Sequence, residues 1–299
     1  MADAETLRIR LARKPIVVAP GVYDALTAHL AARAGFSTLY VSGAAIAYTR
    51  LGRPDIGLVA MNEVADTISM VSDRVRADLI VDADTGYGNA LNVARTIRLF
   101  ERAGARAIQL EDQAFPKRCG HLDNKALIPA EEMVGKIKAA LDARRSRETL
   151  VIARTDAIAV EGFDRAVARA ISYRDAGADI LFIEAPKTRA ELERIPLAVS
   201  NMPLMANMVE GGKTPPLKAA ELEEIGFSLV IFPGAIVRVL ARAADEYYAS
   251  LAAKGTSEPF HDRMYDFAAL NDVIGTPELI ELGKRYEAGM SNTKKGNDK

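Results

Sequence analysis

Residues 91–112 read LNVARTIRLFERAGARAIQLED and contain one complete helix-to-strand unit. Residues 91–103 have the apolar spacing of an amphipathic helix, and Gly104 can take the left-handed conformation that ends it. Residues 107–111 then form a short apolar run without polar alternation, which favours a parallel strand buried on both faces. The unit ends on two acids, Glu111 and Asp112.

The same unit recurs along the chain. A tripeptide with a central glycine precedes three further apolar runs. The tripeptides are Ala34-Gly35-Phe36, Ala176-Gly177-Ala178 and Ile225-Gly226-Phe227. Eight runs are predicted as strands, at residues 16–19, 38–42, 79–82, 107–111, 150–154, 180–184, 204–207 and 229–232. Helical periods between them predict a (β/α)8 TIM barrel. The alternative, an open doubly wound sheet, lacks its Gly-x-Gly-x-x-Gly turn after the first strand.

The C-terminal part exceeds what a minimal barrel needs. Residues 235–254, 262–273 and 277–288 have helical patterns. We therefore predict a barrel catalytic domain at 1–254 and a C-terminal helical extension at 255–299. The extension is expected to pack on a neighbouring subunit of a homo-oligomer, taken as a tetramer.

Composition narrows the class of partner. The 299 residues include 39 Lys plus Arg and 40 Asp plus Glu, a net charge of -1, so no basic surface for nucleic acid or anionic membrane is indicated. No run approaches the roughly 20 apolar residues of a membrane span, and residues 1–14 lack a signal peptide, so a cytoplasmic location is expected. The single cysteine, Cys119, excludes an intramolecular disulfide.

Acids follow two neighbouring predicted strands. Asp82 and Asp84 lie two residues apart, which on a strand points them the same way, and Glu111 ends the next strand. Converging carboxylates repel each other, and an all-oxygen set predicts Mg2+ or Mn2+. The alternative is that Asp82 caps a helix while Asp84 pairs with an arginine. Asp55 lies in a proline-containing turn, and an aspartate in such a turn commonly has only a local structural role, so Asp55 is a weaker candidate by itself.

The loop after the fourth strand reads Lys117-Arg118-Cys119-Gly120-His121. Basic neighbours stabilise a thiolate and the glycine permits close approach, so a functional thiol is predicted. Local charge does not separate an acid from a nucleophile. The whole connection, residues 112–129, is long for a barrel and is expected to act as a lid.

Five stretches together resemble the isocitrate lyase and phosphoenolpyruvate mutase superfamily, in order and over nearly the whole chain. They are DADTGYG at 82–88, QLEDQ at 109–113, KRCGH at 117–121, RTD at 154–156 and NMVEG at 207–211. The KRCGH block resembles the carbon-carbon lyases of that superfamily, those acting on 2-methylisocitrate and 2,3-dimethylmalate, rather than the phosphonate mutases. Gln109 departs from the pattern, because several relatives have histidine there.

The resemblance implies a set of site residues. Asp82 and Asp84 are expected to hold Mg2+, with Asp55 and Glu111 assisting through water. Tyr40 would act as base for the substrate hydroxyl and Cys119 as general acid. The other expected members are Ser42, Gly43 and Arg154 on the oxyacid end, Lys117, Arg118, His121 and Gly120 around the developing charge, Glu184 and Asn207 around the second product, and Phe182 and Ile231 on an apolar wall.

The implied activity is Mg2+-dependent cleavage of a small 2-hydroxy di- or tricarboxylate. Pyruvate plus propionate or succinate would be the products. Three alternatives remain: a hydrolase or decarboxylase acting on oxaloacetate, a phosphonate mutase, and a non-catalytic carboxylate-binding protein on the same fold.

Overall fold

The structure, a computed structural model, describes residues 5–120 and 124–294. Eight parallel strands close into one barrel in chain order, with the last strand paired to the first. The strands are β1 (Val17–Val22), β2 (Thr38–Val41), β3 (Asp78–Asp82), β4 (Ala105–Glu111), β5 (Leu150–Thr155), β6 (Ile180–Ile183), β7 (Leu204–Asn207) and β8 (Leu229–Phe232). The predicted (β/α)8 TIM barrel with C-terminal helices is confirmed.

Within the described residues, one helix precedes the first strand, helices lie between all successive strands, and three helices follow the last strand. The helices are α1 (Leu7–Leu11), α2 (Ala25–Arg33), α3 (Gly43–Ile46), α4 (Met61–Arg74), α5 (Ala90–Ala103), α6 (Ala130–Ala143), α7 (Phe163–Asp175), α8 (Arg189–Ala198), α9 (Ala219–Ile225), α10 (Ala235–Lys254), α11 (Phe267–Ile274) and α12 (Thr276–Lys294). A π-helical turn spans Ala47–Leu51, and 3-10 turns span Ala157–Ala159 and Glu258–Arg263. The helix expected at 262–273 begins later, because Asp266 caps α11 by accepting a hydrogen bond from the amide of Ala269 at 2.7 Å.

Each strand divides its side chains between two cores. One core fills the barrel and includes Val17, Ile80 and Ile152, while the other lies between the strands and the helices and includes Leu39, Val81 and Val151. This is the alternation of a strand buried on both faces. Leu7 and Leu11 of α1 belong to the barrel-filling core.

The chain divides into two compact units, with the boundary between Arg238 and Val239, inside α10. The second unit contains the rest of α10 together with α11 and α12. The predicted domain limits at 254 and 255, and the packing of the extension on a neighbouring subunit, stay predictions. Among the described helices, none combines the length and the apolar character needed to traverse a bilayer.

Candidate active site

The carboxyl ends of the strands carry the polar side chains of the site. Two-residue alternation continues the barrel-filling positions Ile80, Ala107 and Ile152 into Asp82, Gln109 and Arg154. A cavity lies there. Its walls include Tyr40, Ser42, Asp55, Asp82, Glu111, Lys117, Arg118, Cys119, Gly120, Arg154, Glu184, Asn207 and Ile231. The structure therefore brings together most of the residues predicted from the sequence.

Gln109 connects Tyr40 to Asp82 at the floor of the site. Its Nε2 donates to Oδ1 of Asp82 at 3.1 Å, and its Oε1 accepts the hydroxyl proton of Tyr40 at 3.1 Å. Burial, and then the charge of Asp82, raises the pKa of Tyr40 well above 10. Tyr40 is therefore a neutral phenol in this site.

Lys117 joins two of the acids. Its buried Nζ forms ion pairs with Oδ1 of Asp55 and, at 2.6 Å, with Oδ1 of Asp84. Asp84 thus pairs with a lysine, not with the arginine that the alternative reading named. Asp55 is only 8% exposed, so it is more than a turn residue. Burial raises the pKa of Asp84 to about 7, although Lys117 acts in the opposite direction.

Asp82 and Asp84 do not share one face of a strand, so the prediction from their two-residue spacing is wrong. Strand β3 ends at Asp82. Asp84 has a φ of 48°, in the left-handed region, so the two-residue rule does not reach it. Asp84 is not among the residues lining the cavity and is connected to the cavity wall through Lys117.

The donors at this end of the barrel fit a hard divalent cation. Asp82, Asp84 and Glu111 are all buried, and Oε1 of Glu111 has no hydrogen-bond partner among the described residues. Within residues 5–120 and 124–294, no group of three or more His, Cys, Asp or Glu side chains is arranged to hold a metal ion by itself. Mg2+ commonly takes one or two protein carboxylates and keeps several waters, so an open oxygen set of this kind suits it.

The segment that carries Cys119 is fixed to the site at two points. The amide of Cys119 donates to the carbonyl oxygen of Asp55 at 3.2 Å. Gln113 holds Arg118 by two hydrogen bonds, from its Nε2 to the carbonyl oxygen at 2.8 Å and from the amide to its Oε1 at 2.9 Å. The partly exposed Cys119 therefore lies at the cavity, while the predicted His121 is outside the described residues.

Arg154 is the best-anchored cation on the wall. Its Nε and Nη2 donate to the two oxygens of Asp156 at 2.9 and 3.1 Å, and its Nε lies 3.4 Å from Oε2 of Glu111. The guanidinium stands 5.2 Å above the ring centre of Phe182. Phe182 therefore supports Arg154 from the barrel core and is not among the residues lining the cavity, unlike Ile231.

Gly120 packs tightly against the opposite wall. A Cβ on Gly120 would lie 2.7 Å from Oε1 of Glu184 and would also overlap the guanidinium of Arg154. Glu184 in turn accepts hydrogen bonds from Nδ2 of Asn207 at 3.3 Å. Only glycine fits this approach without a shift.

Ser42 and Gly43 begin α3. Oγ of Ser42 accepts from the amide of Ala45 at 3.2 Å, which caps the helix, and Ser42 also lines the cavity. A Cβ on Gly43 would lie 3.2 Å from Oδ2 of Asp82. The glycine permits the close approach of α3 to this carboxylate.

Several residues of the site were not predicted from the sequence, and four of them carry polar or charged side chains. Asp156 and Lys125 are fully buried behind Arg154 and Gly120, while Tyr48 and Arg238 line the cavity. Asp156 could have been found from the sequence, because it lies two residues after Arg154 and two-residue alternation predicts that both point the same way. Tyr48, Arg238 and Lys125 follow no motif that marks them.

The sequence matches the family described as Phosphoenolpyruvate phosphomutase over residues 7–252. The chain belongs to this family. Two relatives are a 2,3-dimethylmalate lyase of Eubacterium barkeri, 42% identical over 97% of this chain and all of that protein, and a 2-methylisocitrate lyase of Aeropyrum pernix, 48% identical over 90% of this chain and 86% of that protein. The resemblance to the isocitrate lyase and phosphoenolpyruvate mutase superfamily is confirmed, and the chain is a carbon-carbon lyase of that superfamily.

Solved structures of the family agree. A 2,3-dimethylmalate lyase, described as a PEP mutase/isocitrate lyase superfamily member, superposes with a TM-score of 0.89 at 38% identity, covering 94% of both chains. An oxaloacetate acetylhydrolase bound to 3,3-difluorooxalacetate gives 0.89 at 32% identity, covering 95% and 97%. A phosphonopyruvate hydrolase bound to oxalate and Mg2+ gives 0.84 at 31% identity, covering 94% and 97%.

Proposed function

We propose that this protein is a Mg2+-dependent lyase that cleaves a 2-hydroxy dicarboxylate or tricarboxylate of the 2,3-dimethylmalate or 2-methylisocitrate type. Pyruvate and either propionate or succinate are the products. The observation that carries the proposal is the bond from the amide of Cys119 to the carbonyl oxygen of Asp55. It fixes the only cysteine of the chain beside the acids at the barrel mouth, as a general acid requires.

The carboxylate of Asp82 lines the cavity and would hold Mg2+ directly, with Asp55 and Glu111 contributing through water. Asp84, which lies behind Lys117, would act through its charge. When bound, the ion supplies charge that lowers the pKa of the substrate hydroxyl. Mg2+ and a small dicarboxylate, oxalate, are both present in the structure of one similar protein, a phosphonopyruvate hydrolase, which supports the same combination here.

Arg154 and the first turn of α3 bind the end of the substrate that becomes pyruvate. Arg154 is held by Asp156 and Phe182, so its guanidinium is oriented before the substrate arrives. The hydroxyl of Tyr40 donates a hydrogen bond to Gln109, so its oxygen lone pairs remain to accept a hydrogen bond from the substrate hydroxyl. We assign Tyr40 to orientation of the substrate hydroxyl, with the hydroxyl proton leaving to a bound water, because the hydroxyl of Tyr40 is already directed at Oε1 of Gln109.

Cleavage breaks the carbon-carbon bond between the hydroxyl-bearing carbon and the carbon next to the second carboxylate. The electron pair of that bond moves onto the second fragment and is delocalised into its carboxylate. Arg118 and the amides of the segment around Cys119 stabilise this charge. Cys119 then transfers the proton of its Sγ to the carbon, and the second product forms.

The apolar part of the cavity wall favours the dicarboxylate. Val209 and Ile231 line the cavity. Arg238 also lines it, but its Nη1 is paired with Oε2 of Glu210 at 2.9 Å. An apolar wall suits a methyl group better than a third carboxylate, so 2,3-dimethylmalate is the first substrate to test.

The experiment is a substrate panel of 2,3-dimethylmalate, 2-methylisocitrate, isocitrate and oxaloacetate, each with Mg2+ and with Mg2+ chelated. We expect pyruvate from one of the first two and none after chelation. Identification of the second product separates propionate from succinate. A protein that folds normally and releases no keto acid from either of the first two would refute the proposal.

A second candidate is hydrolysis of oxaloacetate. It is favoured by the 0.89 TM-score to an oxaloacetate acetylhydrolase. The panel distinguishes it directly, because hydrolysis gives oxalate plus acetate, whereas decarboxylation gives pyruvate plus CO2.

A further inference from the structure

Lys125 is a buried cation that the proposed chemistry does not use. Its side chain is 1% exposed, and its Nζ forms an ion pair with Oδ1 of Asp156 at 2.8 Å. The same Nζ donates a hydrogen bond to the carbonyl oxygen of Gly120. Lys125 does not line the cavity, so it has no direct access to a substrate there.

Stability alone does not account for this lysine. Removing an ammonium group from water costs several kcal/mol, and a buried ion pair often contributes no more than well-packed apolar side chains would. The two bonds of Lys125 connect parts of the site that are separate in the chain. One bond reaches the residue directly after Cys119, and the other reaches the carboxylate that orients Arg154.

Asp156 is a rigid anchor for such a connection. Its amide donates to Oδ1 of Asp112 at 2.9 Å, while Oδ2 of Asp112 accepts from Thr155 and Tyr173, both at 2.7 Å. Asp156 is itself fully buried at the end of β5. Whatever Lys125 ties to Asp156 is therefore tied to the barrel.

We propose that Lys125 is a positioning residue that holds Gly120, and with it the thiol of Cys119, at a fixed distance from Arg154. It acts through Gly120 and Asp156 and does not touch the substrate. The part concerning proton delivery rests on the proposed function, whereas the part concerning the position of Cys119 stands without it.

The chain provides its own probe for this proposal. Cys119 is the only cysteine, so alkylation by iodoacetamide, followed by mass spectrometry, reports on one position. The measurement needs neither substrate nor metal. We would compare the wild type with Lys125→Met, which removes both bonds, and with Lys125→Gln, which keeps a donor but loses the charge.

Arg144 offers a matched control. Its Nη1 also bridges a carboxylate and a backbone carbonyl, Asp179 at 2.6 Å and Thr149 at 2.9 Å, and its side chain is 15% exposed. Thr149 and Asp179 stand directly before β5 and β6, at the other end of the barrel. Arg144→Met therefore reproduces the loss of a bridging cation, here a partly buried one, far from Cys119.

We expect Lys125→Met to raise the alkylation rate about tenfold, because the segment opens locally more often, with Lys125→Gln intermediate and Arg144→Met unchanged. A Lys125→Met protein that folds, by circular dichroism and thermal melting, and alkylates at the wild-type rate would overturn the proposal. If Lys125→Met does not fold, the decision passes to Lys125→Gln, whose alkylation at the wild-type rate would overturn it equally.

Activity supplies a separate readout. With 2,3-dimethylmalate or 2-methylisocitrate and Mg2+, we expect Lys125→Met to lower kcat about tenfold to a hundredfold while KM changes less, since the acid and not the binding groups is misplaced. A kcat equal to wild type would refute proton positioning. If neither substrate is cleaved by the wild type, the proposed function fails, while the alkylation result still decides the position of Cys119.

Discussion

Substitution of Gly120 by alanine tests the geometry of the site with a single methyl group. Gly120 is not among the residues with positive φ, so its backbone accepts alanine without strain. The cost is purely steric. A Cβ would lie 2.7 Å from Oε1 of Glu184, against the 3.4 Å at which ordinary contacts begin, and it would also meet Nη2 of Arg154.

The overlap is about 0.7 Å with Glu184 and larger with Nη2 of Arg154, and one side or the other must move to relieve it. Arg154 is held by two bonds to Asp156 and by the ring of Phe182, and Glu184 is held by Asn207. The wall therefore stays in place and the loop segment moves outward, taking Cys119 with it. A misplacement approaching 1 Å costs up to about a hundredfold in rate, so we expect kcat to fall about tenfold to a hundredfold.

The assay is pyruvate release from the substrate identified in the panel, with the free energy of unfolding measured in parallel. Overpacking costs about 1–3 kcal/mol, which leaves the protein folded. Gly135→Ala is the control, because Gly135 lies within α6 and a Cβ there meets nothing within 4 Å. It should gain about 0.5–1 kcal/mol and keep full activity. Wild-type kcat in Gly120→Ala would refute the tight approach of this segment to Arg154.

Further predictions concern the charged groups. Cys119→Ser should lower kcat about 10²- to 10⁴-fold and leave Mg2+ affinity by calorimetry unchanged; wild-type turnover would remove the general-acid role. Asp82→Ala should raise the Mg2+ concentration for half-maximal activity, and an unchanged titration would contradict the metal site. Lys117→Met leaves two buried carboxylates unpaired, so metal-free unfolding should cost about 3–5 kcal/mol less, whereas an unchanged denaturation midpoint would refute the pairing. Burial alone would raise the pKa of Asp156, but Arg154 and Lys125 lower it to about 2. The ionised carboxylate therefore stabilises the folded protein above about pH 4, and this stabilisation is lost as the pH falls toward about 2. The difference in the free energy of unfolding between wild type and Asp156→Asn should accordingly shrink from about pH 5 to about pH 3.

The convergence of the site could be predicted because the barrel is regular. A closed parallel barrel fixes which residues point inward once the strands are located, and the strand runs are plain in the sequence. Tyr40, Asp82, Glu111 and Arg154 therefore follow from a two-residue alternation and a strand order. No long-range information beyond the fold class is needed.

The pairing of charges could not be predicted in the same way. Which cation reaches Asp84 depends on the path of a loop that begins after β4, and Lys117 arrives there from 33 positions away. Lys125 is a lysine in a polar loop and carries no periodicity that would mark it as buried. Two-residue alternation does not apply to Asp84, because β3 ends two residues earlier and the backbone at Asp84 is left-handed.

The uncharged side chain of Gln109 determines the direction of the hydrogen bond that Tyr40 makes. The carboxylate of Asp82 can only accept when ionised, so it takes the amide NH2 of Gln109, and Oε1 is left for the hydroxyl of Tyr40. Tyr40 must then donate, and its lone pairs remain for the cavity. A histidine could make both bonds only in one tautomer and would acquire charge near neutral pH, which would reverse the bond to Tyr40. Glutamine has no such state, so the orientation of Tyr40 is independent of pH as long as Asp82 stays ionised.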